Sequence, residues 1–138
     1  MQRELWRNRW LSCLNELTSL KLQRESWLDK TNSNPHWSFV EFMCSYFDDL
    51  GIDNNYEYQL KKEWISKKEF ETIKQWHELL DKYNSPKNND YNHTSIIEDN
   101  TWELIIQEGL KAIRELYKNL SKKEIQILTE VIDFQKRK

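Results

Sequence analysis

Glycine and cysteine are nearly missing from this chain: two of each in 138 residues. With Gly51 and Gly109 as the only glycines, no glycine-rich loop can cradle a phosphate. Cys13 and Cys44 could form one bridge at most, and neither has a neighbouring histidine or basic cluster that would lower its pKa. No apolar run approaches the roughly 20 residues needed to cross a bilayer. The N-terminal "MQRELWRNRWLSCL" is amphipathic instead of continuously apolar, so a secretory signal is not expected. Together these absences predict a cytoplasmic protein with reduced thiols and no membrane partner.

A second absence is local. No lysine or arginine occurs in residues 31–60 or in residues 88–110, and each window carries five carboxylates. The flanking segments are all net basic, so an overall charge of −2 and a pI near 6.0 conceal two acidic stretches in a basic frame. Such asymmetry speaks to association rather than to fold. The basic clusters "RNR" and "KRK" are short, and the pI is wrong for direct nucleic-acid binding.

What the chain does have is aromatic residues, 13% of the total with seven tryptophans. Large apolar rings of this kind are expected mainly in a core. Nearly everywhere their spacing is helical. Trp6, Trp10, Leu14, Leu17, Leu20, Trp27 and Leu28 form a stripe on a long first helix with a break near Thr18–Ser19. Asn34 as N-cap and Pro35 in the first turn predict a second helix to Leu50, closed by Gly51 in a left-handed conformation. Tyr56, Leu60 and Trp64 mark a short third helix. The capping box "SKKE" at Ser66–Glu69 opens a fourth, with Phe70, Ile73, His77 and Leu80 inward. Residues 84–95 read as a polar loop without packing. Trp102, Ile106, Gly109, Ile113, Leu116 and Leu120 line a fifth helix, and a second "SKKE" at Ser121–Glu124 starts the last. Residues 135–138 are expected to fray. The fold class is therefore all-α, one domain over residues 1–138 with about five or six helices.

No catalytic constellation is legible. No Glu-x-x-His pair exists; His77 has only Asp81 one turn ahead, which alone is not a site, His93 has Asp90 three residues earlier in an expected loop, and His36 adds no metal set. His77 lies on an apolar helix face and reads as a packed, hydrogen-bonded histidine. No catalytic residue, metal or cofactor is predicted, and the protein is read as a non-enzyme. A pocket joining His36 or His77 to two carboxylates is the arrangement that would argue otherwise.

The stretch from Ser38 to Leu60 suggests binding. On a helix, Val40, Met43, Cys44, Phe47 and Leu50 share the face expected to serve the core. Glu41, Ser45, Asp48 and Asp49 share another. Asp53, Tyr56, Glu57 and Tyr58 continue the same chemistry, and Tyr46 lies between the faces. Glu98 and Asp99 of the second basic-free window extend the surface if the fold brings them near. An exposed acidic face with partly exposed tyrosines is suited to a basic partner: carboxylates steer the encounter and rings supply contact energy.

"WSFVEFMCSYFDDL", "EFETIKQWHELLDKY" and "IIEDNTWELIIQEGLKAI" resemble segments of the small bacterial immunity proteins that accompany toxins of contact-dependent growth inhibition and related polymorphic toxin systems. The resemblance covers roughly residues 5–118. It implies a cytosolic, non-enzymatic protein that binds one cognate toxin C-terminal domain, often a nuclease, and blocks it. No residue roles carry over from it. The rival expectation is a small helical adaptor or oligomerisation subunit that binds a cellular protein.

Overall fold

Eight α-helices build the molecule in a computed structural model, which describes residues 2–52 and 54–137 (backbone alone at 136 and 137). No strand occurs among the described residues. The helices are α1 (Arg3–Thr18), α2 (Leu20–Trp27), α3 (Phe39–Cys44), α4 (Glu57–Lys61), α5 (Lys67–Asp81), α6 (His93–Glu98), α7 (Asn100–Leu116) and α8 (Lys122–Thr129). A π-helical turn, Ser45–Asp49, continues α3. Short 3-10 turns occupy Pro86–Asn88, Tyr117–Asn119 and Phe134–Arg137.

The long helices α1, α5 and α7 form the centre, with α8 and the π-turn laid on α1, and α6 between α2 and α7. Gly109 allows the central approach. A Cβ there would stand 2.6 Å from Thr18 Cγ2 and 2.8 Å from Trp76 Nε1, so α1, α5 and α7 converge where α7 has no side chain. Six of the seven tryptophans are buried, and Trp64 is half-buried. The first helix breaks at Ser19, which caps α2 by accepting from Leu22 N–H. The buried Gln23 amide repairs the break: it donates to the carbonyls of Glu16 and Leu17 and accepts from Trp102 Nε1 at 2.9 Å.

The two "SKKE" segments are both complete capping boxes, and they converge. Arg7 of α1 is buried and donates two parallel bonds to Glu69, at 3.1 and 2.8 Å. Its Nε donates to Glu124 at 2.7 Å, a further bond reaches the Trp64 carbonyl, and its guanidinium lies over Trp10. The glutamate that closes each box thus both caps its own helix and binds the same arginine. Arg7 holds Glu124 below the ordinary carboxylate range, although burial alone would raise it.

Two expected boundaries are corrected. The helix expected from Asn34–Pro35 instead begins at Phe39 as α3, capped by Ser38, whose hydroxyl accepts from Glu41 N–H. Asn34 instead accepts from the His36 amide in a turn. Residues 84–95 are not a bare polar loop. Ser85 is buried and donates to Asp90 at 2.6 Å, and α6 begins at His93, whose ring accepts from Phe39 N–H and donates to the Trp27 carbonyl. Phe134 is buried and packs on Trp37, with centroids 6.0 Å apart, where the 3-10 turn Phe134–Arg137 begins; Lys138, at the end of the segment expected to fray, lies outside the described residues.

Candidate functional site

α3 is only six residues long, and its rings decide which way it faces. Phe39, Phe42, Tyr46 and Leu50 are the buried residues, whereas Val40, Met43, Cys44 and Phe47 are only half-buried. The expected core face is therefore displaced. Aromatic rings bury more apolar area than Val or Cys and take the interior. The π-turn adds a residue to the last turn, which keeps Tyr46 inward while Asp48 and Asp49 point to water.

Tyr46 and Tyr56, predicted as partly exposed contact rings, are fully buried, and this corrects their assignment to the binding surface. They form a hydrogen-bond chain. Trp10 Nε1 donates to Tyr56 Oη at 3.0 Å, Tyr56 and Tyr46 are bonded hydroxyl to hydroxyl, and Tyr46 meets His77 Nδ1 at 2.8 Å. Each hydroxyl finds an acceptor only if the chain runs from Trp10 to Tyr56, Tyr46 and then His77. That requires Nδ1 to be unprotonated. Burial supports this state by lowering the His77 pKa against the pull of Asp81 and Glu78, and it raises those of both tyrosines. Tyr56 also sits at φ 63°, the left-handed region, which a bulky residue occupies only when its surroundings fix it.

Glu41, Asp48 and Asp49 are exposed, as expected of the acidic face. They gather around the half-buried Cys44. Burial raises its thiol pKa first, then the charge and hydrogen bond of Asp48, then Glu41 and Asp49. Beside Cys44 runs a groove of about 330 Å³, with Val40 and Met43 on one wall and Tyr83, Asn84 and Asp90 on the other. The two basic-free windows meet here, through Asp90 rather than through Glu98 and Asp99. Glu98 is exposed at the end of α6. Asp99 is occupied with structure: it caps α7 through Thr101 N–H and accepts from Tyr83 Oη at 2.7 Å.

Glu57 and Tyr58 are exposed on α4, but Tyr58 packs edge-on against Trp64 and lies under the Lys62 ammonium, away from the acidic cluster's chemistry. Asp53 lies outside the described residues. The exposed ring nearest in sequence to the groove is Tyr91, 78% exposed, whose amide donates to Asn89 Oδ1. Asp90 and Tyr91 were not singled out from sequence. Their position inside the second basic-free window was the available signal.

A second cavity, about 390 Å³, lies between α1 and the π-turn and holds His36, Glu16, Asp49 and Cys13. It joins a histidine to two carboxylates. His36 Nε2 meets the buried Glu16 carboxylate at 2.7 Å. Burial, with Glu16 and Asp49, pushes the Cys13 thiol far up, so it is protonated at neutral pH and not a ready nucleophile. Among the described residues no group of three or more His, Cys, Asp or Glu side chains could hold a metal ion, and no helix is long and apolar enough to cross a membrane. Compared with protein-family models, curated proteins and solved structures, the chain matches none.

Proposed function

We propose that this chain is an immunity-type inhibitor: a cytosolic, non-enzymatic protein that binds a cognate basic toxin domain, of nuclease type, through the surface built on α3 and the π-turn. One observation carries the reading. Glu41, Asp48 and Asp49 stand exposed around Cys44, beside a groove whose far wall brings Asp90 from the second basic-free window. A nuclease is basic where it holds phosphate, so an acidic, rigid surface steers its association and competes with substrate. Apolar contact comes from Val40, Met43 and Tyr91 instead of the buried Tyr46 and Tyr56. Both cysteines are free thiols, which suits a reducing compartment.

The test is co-expression with the toxin domain encoded beside it, scored by growth rescue and copurification. Asp48→Lys with Asp49→Lys should leave the thermal midpoint nearly unchanged, since exposed charges contribute under about 1 kcal/mol per pair. Affinity should fall by roughly 30-fold or more, the equivalent of losing about 2–5 kcal/mol at an interfacial charge pair. Reversal of Glu71 and Glu115, exposed and outside both windows, is the control. Equal loss from the control pair removes the case for this surface. The cavity around His36 favours a second reading, an enzyme acting on the toxin or its product. That reading takes over if rescue is lost in His36→Gln and is indifferent to Asp48 and Asp49.

A further inference from the structure

The groove beside Cys44 differs in kind from the acidic surface around it. One wall is apolar, made by Val40 and Met43, and the other is polar, made by Tyr83, Asn84 and Asp90. Asp90 is the one charged residue among its described lining residues. Ser85 is buried, and its hydroxyl donates to Asp90 Oδ1 at 2.6 Å. A carboxylate accepts several hydrogen bonds, so this bond orients Asp90 without exhausting it. Lys82 and Lys87 are exposed nearby in sequence but do not line the groove. The Glu41, Asp48 and Asp49 carboxylates around Cys44 add a negative field at the same wall.

An apolar trough ending in an oriented carboxylate matches one class of occupant: a long aliphatic stem carrying a positive charge. We propose that this groove receives a lysine or arginine side chain of a protein partner, with the methylenes against Val40 and Met43 and the cationic head on Asp90. Asn84 offers its amide oxygen as a second acceptor. The groove volume, about 330 Å³, accommodates a single such side chain and not a folded element. This deepens the inhibitor reading and rests on it for the identity of the partner. It gives the basic toxin surface a specific point of insertion in place of diffuse attraction.

The test is a nuclear magnetic resonance titration of the labelled full chain with three small probes. These are N-acetyl-arginine amide, N-acetyl-lysine amide and N-acetyl-norleucine amide, the last keeping the stem without the charge. The two cations should shift backbone amides of residues 40–44 and 83–90 saturably, and norleucine amide should bind about tenfold more weakly or not at all. Asp90→Asn retains the oxygen that Ser85 bonds and removes only the charge, so it should weaken both cations about tenfold in a folded protein. Norleucine amide binding as well as the cations overturns the proposal, as do shifts centred on Asp48 and Asp49 that ignore Asp90→Asn, or no shifts at all. The wild-type comparison of probes stands even if the variant fails to fold. Failure of the two readings is separable. Neutralisation that survives Asp90→Asn while probe binding is lost removes the groove from the partner contact and leaves the inhibitor standing. Probe binding without any toxin partner does the reverse.

Discussion

Arg7 has no apolar alternative to its position: its side chain is 3% exposed, and both neighbouring carboxylates are committed to it. A buried ion pair adds little over apolar packing, but removing one partner strands the other. Arg7→Ala leaves Glu69 buried without its cation and should cost about 3–5 kcal/mol. That is a large share of a domain's usual 5–15 kcal/mol. A urea midpoint close to wild type would show that the two glutamates find other partners. Each "SKKE" box was legible in the sequence because capping is a four-residue affair. Their meeting at Arg7 was not, since nothing local marks one arginine of α1 over Arg3 or Arg9. The same limit explains Tyr46 and Tyr56. Aromatic and acidic neighbours in sequence suggest a ring beside a charge, whereas only the packed structure shows a hydroxyl chain ending on His77.

Helices and their ends were the readable scale. The break at Ser19, both capping boxes and the left-handed Gly51 (φ 67°) fall where local chemistry requires them. The orientation of α3 was misread because a π-turn changes the residue count per turn, and no sequence signal announces it. Gly109 shows the other side of element-level reasoning. In an isolated helix, alanine there would stabilise by about 1 kcal/mol. Here its Cβ would lie 2.6 Å from Thr18 Cγ2, and overpacking of this kind costs about 1–3 kcal/mol. Gly109→Ala should therefore lower the thermal midpoint. Adding Thr18→Ser, which removes the offending methyl and keeps the hydroxyl bond to the Leu14 carbonyl at 2.7 Å, should restore part of the loss. Additive effects of the two substitutions would place the strain elsewhere.

For the molecule as a whole, the buried titratable groups set a stability window. His77 and His93 are both lowered by burial from an ordinary value of 6.5, so the unfolded chain binds protons first and stability falls as pH drops below that value. Glu124, lowered from 4.5, adds a second loss as pH falls further, through its folded-state value. On the alkaline side burial raises Cys13, Tyr46 and Tyr56, whose unfolded forms ionise near 9 and 10, so stability declines again above about pH 9. Urea midpoints should be highest between about pH 7 and 9. A monotonic rise from pH 5 to 10 would contradict the burial of these groups. The Arg7–Glu124 bond also bears on the order in which the chain is made. Its ends are 117 residues apart, and α1 leaves the ribosome long before α8. At about 5–20 residues per second that gap is roughly 6–23 s, during which the face of α1 that carries Arg7 lacks α8. A nascent chain stalled before Glu124 holds Arg7 with one of its two carboxylates, so α8 is the latch that closes this face of α1 against chaperones and proteases.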